Sequence, residues 1–231
     1  MSASDALIEL NRLEFYWPQQ SEAVLSVNEL TVEKHQHSFI RGDSGSGKTT
    51  LLNLLCGIHI ATKGAVSVLG NDLTTMHTQQ RDRFRGEHLG VIFQQFNLLP
   101  FLSVKDNIVL PCGFSKQRLA KVADAEQEVT RLLDALDLSP SLINKNITEL
   151  SVGQQQRVAV CRALIGSPEL IIADEPTSAL DTKNRDRFLQ LLFQEADKNN
   201  STVVFVSHDE QIAHHFPRVI ELSDYNRADS Q

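Results

Sequence analysis

One stretch of the sequence carries residue types at a spacing suited to binding phosphate. Gly42, Gly47, Lys48 and Thr49 fit the pattern G-x-x-x-x-G-K-[S/T], in which glycines let consecutive backbone N–H groups approach phosphate oxygens. The lysine supplies a positive charge for the outer phosphates, and the threonine hydroxyl can ligate Mg²⁺. An ordinary glycine turn before a helix is the alternative, but an apolar strand precedes the pattern and an apolar helix, residues 51–56, follows it. The stretch therefore predicts a nucleotide-binding loop at a helix N-terminus.

A pair of adjacent carboxylates, Asp174 and Glu175, ends the apolar run at residues 170–173. In a parallel sheet, ligands bind outside the carboxyl ends of the strands, so both side chains would face the ligand. Asp174 would hold Mg²⁺, directly or through water, and Glu175 would polarise the attacking water. The alternative is an acid pair that caps a helix before Pro176. A phosphate-binding loop in the same chain favours the catalytic interpretation.

Two other polar residues follow apolar runs that are typical of strands. His208 comes after residues 203–206 and could donate to a γ-phosphate oxygen or position the water. Gln94 leaves the run at residues 90–93 and could contact Mg²⁺ or the water through its amide oxygen. A solvent-facing histidine and a loop glutamine without a role remain the alternatives.

Two further features are ambiguous by themselves. Ser151 and Gly153 stand at the start of a helical pattern, residues 151–165, and such a start can bind an anion; it is also a common way for any helix to begin. Trp17 or Tyr16 could stack on a nucleotide base, and the alternative is a plain core aromatic.

These residues would be positioned by apolar β runs that alternate with helical patterns. We expect strands at residues 7–15, 24–32, 39–41, 65–69, 90–93, 170–174, 202–206 and 218–222. We expect helices at residues 51–56, 74–88, 103–110, 117–138, 151–165, 184–198 and 211–216. The alternation predicts an α/β fold with a mainly parallel sheet in a single domain, residues 1–231, and a helical insert at about 102–150 would form its own lobe.

The composition narrows the class of protein. The chain has 231 residues, and its net charge of -7 argues against a nucleic-acid partner, because affinity for the phosphate backbone comes from excess lysine and arginine. The cysteines, Cys56, Cys112 and Cys161, are too scattered for a disulfide framework or a metal site, which favours a reducing compartment. Since no apolar run reaches the roughly 18–20 residues of a membrane span, we expect any membrane-spanning part to belong to another chain.

The order and spacing of these motifs resemble those of the ATP-binding subunit of an ABC transporter, over residues 7–222. The similar motifs are Walker A at 42–49, the Q-loop at Gln94, the LSGGQ signature at 150–154, Walker B with its catalytic glutamate at 171–175, the D-loop at 178–181 and the switch histidine at His208. Within the family, residues 90–100 resemble the lipoprotein-releasing, macrolide-export and cell-division (LolD, MacB and FtsE) group, although amino-acid importers share much of this stretch.

The resemblance implies a P-loop NTPase core with a mainly parallel sheet, an antiparallel β subdomain at the N-terminal side and an inserted helical lobe. It also implies an ATPase that uses ATP and Mg²⁺. Catalytic roles would fall to Glu175, His208 and Gln94, and metal ligation to Thr49, Gln94 and Asp174. The implied nucleotide-binding residues are Trp17, Gly42, Asp43, Ser44, Gly45, Ser46, Gly47, Lys48, Thr49, Thr50, Ser151, Gly153, Gln154 and Asp181.

The same resemblance implies partners and a location. Two copies would form a head-to-tail homodimer, with each of two ATP molecules between one copy's phosphate loop and the other's residues 151–154. A transmembrane permease would anchor the chain at the cytoplasmic face of the inner (plasma) membrane. In related transporters a short permease helix docks beside the Q-loop, so the apolar segment 94–102 and the turns at 104–109 would form the docking surface. Alternatively, these side chains fill the seam between sheet and helical lobe.

Three positions depart from the family pattern. Val152 stands where the signature usually has its first glycine, Arg41 precedes Gly42 where a small or apolar residue is commoner, and Trp17 best matches the usual adenine-stacking tyrosine. None of these changes removes a catalytic group. The alternatives are an importer ATPase, a non-transport ABC ATPase acting on nucleic acid or ribosomes, and a P-loop kinase or GTPase, which would not explain the signature or His208.

Overall fold

A computed structural model of the chain describes residues 5–177 and 180–228. Its strands are β1 (Ala6–Phe15), β2 (Leu25–Glu33), β3 (Ser38–Arg41), β4 (Lys63–Val68), β5 (Asn71–Asp72), β6 (Leu89–Ile92), β7 (Leu170–Asp174), β8 (Thr202–Ser207) and β9 (Arg218–Glu221). Its helices are α1 (Lys48–Leu55), α2 (Thr78–His88), α3 (Val104–Phe114), α4 (Lys116–Ala120), α5 (Ala125–Ala135), α6 (Val152–Leu164), α7 (Thr182–Lys198) and α8 (Leu222–Tyr225). Short 3₁₀ helices cover Pro140–Leu142, Ile147–Glu149 and Glu210–His215. The elements group into two compact units, Met1–Arg85 with Val204–Gln231, and Gly86–Val203.

The first unit contains both antiparallel and parallel strand pairs. Strands β2, β1, β4 and β5 lie side by side in that order and are antiparallel. Strand β3 pairs in parallel with both β8 and β9, and its buried Ile40 lies opposite Val206. At the carboxyl end of β3, Arg41 lies opposite Ser207 and Glu221. Three strand ends therefore meet at one edge, where the loops after them can bind a ligand.

In the second unit, β6 pairs in parallel with β7, and Ile92 lies opposite Ala173. Both residues are buried, as expected for short apolar strands of a parallel pair. Helix α6 packs against β6. A Cβ atom at Gly90 would lie 2.3 Å from the carbonyl oxygen of Ala163, so the close approach of helix and strand requires glycine.

The stretch between β6 and β7 differs from its prediction: α3 continues to Phe114, two 3₁₀ helices follow α5, and one predicted helix is divided in two. The apolar spacing at 117–138 predicts one helical stretch, but α4 ends at Ala120 and α5 begins at Ala125. Asp124 caps α5, because its carboxylate accepts hydrogen bonds from the N–H groups of the second and third residues after it. Apolar spacing does not indicate such a cap, because the capping residue is polar and lies outside the apolar face.

The predicted fold class is confirmed: the chain is α/β, with parallel strand pairs, an antiparallel sheet at the N-terminal side and helices between the strands. The short elements β5 and α8 were not predicted. Among residues 5–177 and 180–228, no helix is both long and apolar enough to cross a membrane.

Candidate active site

The phosphate loop, residues 42–47, connects the buried strand β3 to α1 in the first unit. Gly45 and Gly47 have φ angles of 86° and 91°, in the left-handed region that favours glycine. A Cβ atom at Gly47 would also lie 2.8 Å from the Cδ2 atom of Leu25, so space as well as conformation requires glycine there. Gly47 provides no side-chain cap for α1, which suits a helix N-terminus that binds an anion.

Ser46 and Gly42 shape the inside of this loop. The Ser46 Oγ atom is buried and has no hydrogen-bond partner among the described residues. A buried hydroxyl without a partner is unfavourable, and a phosphate oxygen would supply the missing hydrogen bond. A Cβ atom at Gly42 would lie 2.5 Å from the same Oγ atom, so the glycine leaves the space that the serine occupies. The loop therefore fits a phosphate group.

Lys48, the first residue of α1, is only 7% exposed. Its ammonium group donates hydrogen bonds to the carbonyl oxygens of Gly42 and Asp43, at 2.7 and 2.6 Å. An ammonium group has three N–H donors, so it can brace the loop and also donate to a phosphate oxygen. The next two residues differ in burial: Thr49 is exposed and Thr50 is buried.

A cavity of about 410 Å³ opens beside the phosphate loop, within the first unit. Its lining includes loop residues 42–46 and His208, which follows the last residue of β8. Arg41, Glu210 and Glu221 also line it. The structure thus brings together the loop and the histidine that the sequence singled out separately.

Trp17 and Tyr16 also belong to the first unit, and their surroundings differ. The Trp17 ring centroid lies 5.1 Å from those of Phe15 and His59, edge to face in both cases. The Tyr16 hydroxyl instead donates a hydrogen bond of 2.9 Å to Glu14, which raises the pKa of the tyrosine. Because its two neighbours fix the plane of the indole ring, Trp17 is the better candidate for stacking on a base.

In the second unit, Asp174 ends β7 and Glu175 follows it, and both carboxylates are half-buried. Residues 170–173 of β7 are buried and hold this end of the strand in place. Glu175 has a φ of 44°, which is uncommon for a residue with a side chain and often occurs at functional sites. The backbone is therefore constrained at the residue that we expect to activate water.

Gln156 of helix α6 holds the chain just after Glu175, and no sequence motif marks this residue. The buried Gln156 side chain donates a hydrogen bond of 2.6 Å from Nε2 to the carbonyl oxygen of Pro176. That carbonyl belongs to the residue after Glu175, so the bond fixes the chain just beyond the carboxylate. The available signal was a polar residue on a helix whose other buried side chains are mostly apolar.

Gln94 follows β6 in the second unit and is exposed. The loop after it is held by Arg162 of α6, whose guanidinium donates to the carbonyl oxygens of Phe96 and Asn97 at 2.5 and 2.7 Å. Both of these residues have positive φ angles, 59° and 48°. Burial lowers the pKa of Arg162. This arginine, which no sequence motif marks, therefore holds an unusual backbone conformation close to Gln94.

Ser151 and Gln154 form a capping box at the start of α6. The Ser151 Oγ atom accepts from the Gln154 N–H group at 3.4 Å, and the Gln154 Oε1 atom accepts from the Ser151 N–H group at 2.9 Å. A cavity of about 340 Å³ in this unit is lined by both residues and by Gly153, Arg157 and Asn184. A Cβ atom at Gly153 would meet no described atom within 4 Å, so packing inside the chain does not require glycine there.

Asp181 caps α7 in the same unit. Its carboxylate accepts hydrogen bonds from the backbone N–H and the side-chain amide of Asn184, at 2.9 and 2.8 Å. These hydrogen bonds lower the pKa of Asp181. Ser178 and Ala179, which begin the D-loop pattern, lie outside the described residues.

Comparison with known proteins identifies the type of cassette that this chain resembles. The family model described as ABC transporter matches residues 25–178. The macrolide export ATP-binding/permease protein MacB of Campylobacter jejuni is 41% identical over 202 residues, which are 87% of this chain but only 31% of that protein. The bacitracin export ATP-binding protein BceA of Halalkalibacterium halodurans is 38% identical over 203 residues, 88% of this chain and 79% of that protein.

A solved structure extends the similarity to three dimensions. The ATP-binding cassette MJ0796, in a dimeric post-hydrolysis state bound to ADP and phosphate, is 30% identical in sequence. The similarity covers 93% of each chain, with a TM-score of 0.81. The predicted resemblance to the ATP-binding cassettes is thereby confirmed.

Proposed function

The chain belongs to the ABC transporter family, and from that premise we propose that it is the ATP-hydrolysing subunit of an export-type transporter. The observation that carries the proposal is the phosphate loop, where Lys48 hydrogen-bonds to the backbone and the buried Ser46 hydroxyl has no hydrogen-bond partner among the described residues. The cavity beside that loop also contains His208. Such a loop binds the β- and γ-phosphates of a nucleotide.

Hydrolysis of ATP needs a positioned water and stabilisation of the charge on the γ-phosphate. We assign the activation of water to Glu175, whose backbone is constrained, and a contact with the γ-phosphate to His208. Thr49, Gln94 and Asp174 offer the hydroxyl, amide and carboxylate oxygens that Mg²⁺ prefers. The metal, when bound, would neutralise charge on the phosphates.

The signature residues support a proposed head-to-tail homodimer. Gly153 lies in open space, so a glycine at this position suits the close approach of a partner's nucleotide rather than packing inside the chain. Val152 replaces the family's usual glycine, but it is the first residue of α6 and is 57% exposed. Helical φ angles are negative, so a valine fits there without backbone strain. We therefore propose that the signature is functional.

Proposals about the transported substrate and the membrane partner are based on the relatives. The relatives' names describe macrolide and bacitracin export, and the chain spans about a third of the length of the MacB relatives. We propose a separate permease as the membrane-spanning partner, with this chain bound peripherally on the cytoplasmic face of the membrane. An importer ATPase remains the second candidate, because importers share much of the sequence around Gln94.

The proposed function predicts which reaction the purified protein catalyses. We expect Mg²⁺-dependent hydrolysis of ATP to ADP and phosphate, without transfer of the phosphoryl group to sugars, nucleoside monophosphates or other small acceptors. The measurement compares phosphate release from ATP and GTP, with and without such acceptors. Phosphoryl transfer to an acceptor, or hydrolysis restricted to GTP, would instead identify a P-loop kinase or GTPase.

The structure refines the segment proposed to contact the permease. Phe101 is 75% exposed, whereas Val104 and Ile108 of α3 are fully buried and belong to the core. The loop between Gln94 and α3 is held to that helix, since the buried Asn107 amide exchanges two hydrogen bonds with the Leu99 backbone. We therefore limit the proposed docking surface to the exposed part of residues 94–102.

Placing a charge on this surface tests the proposed docking. We expect Phe101→Glu to weaken co-purification with the cognate permease at least about tenfold, because a buried aromatic anchor dominates many interfaces. The ATPase activity of the isolated subunit should stay within about twofold of wild type, since the side chain is exposed. Phe114→Glu is the matched control, because Phe114 is 80% exposed in the same unit. If the complex survives while the isolated Phe101→Glu protein unfolds, the residue is part of the core and the docking proposal is wrong.

A further inference from the structure

Arg41 is a departure from the family pattern that the proposed reaction does not explain. It is the last residue of β3, directly before the phosphate loop, and it lines the same cavity as that loop. Its Nε atom lies 2.7 Å from Glu221 Oε1, and its guanidinium also lies 3.0 Å from Glu210 Oε1. One arginine therefore pairs with two carboxylates at the edge where three strands end.

Both carboxylates also line the cavity beside the phosphate loop, and so does Asp43. Three acidic side chains are unfavourable neighbours for a polyphosphate, because like charges repel over the distances found within a single cavity. Arg41 is the arginine of this lining, and Lys48 adds a second positive charge from inside the loop. These two charges offset most of the negative charge of the three carboxylates. Without Arg41, only Lys48 of these residues would oppose it next to the bound phosphates.

We propose that Arg41 is a determinant of nucleotide affinity, which acts by offsetting part of the negative charge of Glu210 and Glu221 beside the phosphate loop. The inference rests on the proposed function, because it requires that the loop binds ATP. It differs from the family's phosphate contacts in that Arg41 acts through two neighbouring carboxylates. It also explains why an arginine can stand where a small or apolar residue is commoner.

The two ion pairs of Arg41 differ in exposure. The Glu210 side chain is 72% exposed, so its pair contributes little to the stability of the fold, whereas the Arg41 and Glu221 side chains are 32% and 30% exposed. Removing the guanidinium should therefore lower the thermal midpoint of unfolding modestly, through the Glu221 pair, and the rescue described below separates the electrostatic role from this structural one. The effect on a negatively charged ligand is larger, because two carboxylates are released from their partner at once. It should also depend on salt, since partly exposed charges are screened.

The test is the affinity of the full chain for MgATP, measured by calorimetry at low and high salt. We expect Arg41→Met to bind MgATP about fivefold more weakly than wild type at about 0.02 M salt, and less than about twofold more weakly at 0.5 M. Adding Glu210→Gln and Glu221→Gln to Arg41→Met should restore the affinity, because the repelling charges are gone. Arg12→Met is the matched control, since it removes the same charge from an exposed position in the same unit.

The possible results distinguish this inference from the proposed function. Equal affinities of wild type and Arg41→Met at low salt, with wild type binding normally, would overturn the inference alone. A weakened Arg41→Met that the two glutamine substitutions do not rescue would show that Arg41 acts by holding the fold, and would also overturn it. If wild type itself bound no nucleotide, the proposed function and this inference would both fall.

Discussion

The Glu175→Gln protein is expected to bind ATP as tightly as wild type and to hydrolyse it at least about 100-fold more slowly. Glutamine keeps the shape and hydrogen-bonding reach of the side chain, but an amide cannot act as a general base. The turn that holds residue 175 should persist, because the hydrogen bond from Gln156 reaches the Pro176 carbonyl and does not involve the substituted carboxylate. The measurement is the turnover rate at saturating ATP, together with the dissociation constant for ATP.

Glu126→Gln provides a matched control for Glu175→Gln. Glu126 lies in the same unit, on α5, is exposed and pairs with Lys105 at 2.7 Å. Its substitution should leave turnover within about twofold of wild type. Near-normal hydrolysis by Glu175→Gln would remove this residue from the mechanism and would point to another group as the activator of water.

Replacing Lys48 with alanine should reduce both binding and hydrolysis of ATP at least about 100-fold. The lysine places a charge inside the phosphate loop, and a hydrogen bond to a charged group typically contributes about 1.5–3 kcal/mol. The substitution also removes the two hydrogen bonds that join the ammonium group to the Gly42 and Asp43 carbonyls, so the loop loses its brace. Calorimetric titration with MgATP measures the loss of affinity directly.

The control for Lys48→Ala must separate loss of binding from loss of fold. Lys34→Ala removes an exposed lysine from the same unit and should bind ATP normally. A thermal unfolding curve of Lys48→Ala shows whether the chain remains folded. An unchanged dissociation constant for ATP in a folded Lys48→Ala protein would contradict the identification of residues 42–49 as the phosphate-binding loop.

The parts of the site that were predictable from the sequence depend on local requirements. Gly47 must be glycine because its φ is 91° and a side chain would touch Leu25, and the pattern G-x-x-x-x-G-K-[S/T] encodes this requirement over eight residues. The start of α6 was also predictable, because Ser151 and Gln154 cap the helix through hydrogen bonds three residues apart. Requirements that involve only neighbouring residues appear in the sequence as short motifs.

The parts that could not be predicted depend on contacts between distant segments. Arg162 bonds to the carbonyl group of Asn97, 65 residues earlier in the chain, and a carbonyl group exists at every position of every sequence. Asn226 similarly accepts a hydrogen bond from the N–H group of Ser26, 200 residues away. The side chains of such residues are visible in the sequence, but their partners are backbone atoms that no motif identifies.

The association state of Glu175→Gln with ATP tests whether two copies of this chain share their nucleotides. In the proposed dimer, each ATP lies between one copy's phosphate loop and the other copy's Ser151–Gln154 stretch. Blocking hydrolysis should therefore trap this state. In sedimentation analysis, we expect Glu175→Gln to be a dimer with saturating MgATP and a monomer with ADP. A Glu175→Gln protein that binds ATP by calorimetry yet remains monomeric at saturating nucleotide would rule out the proposed dimer.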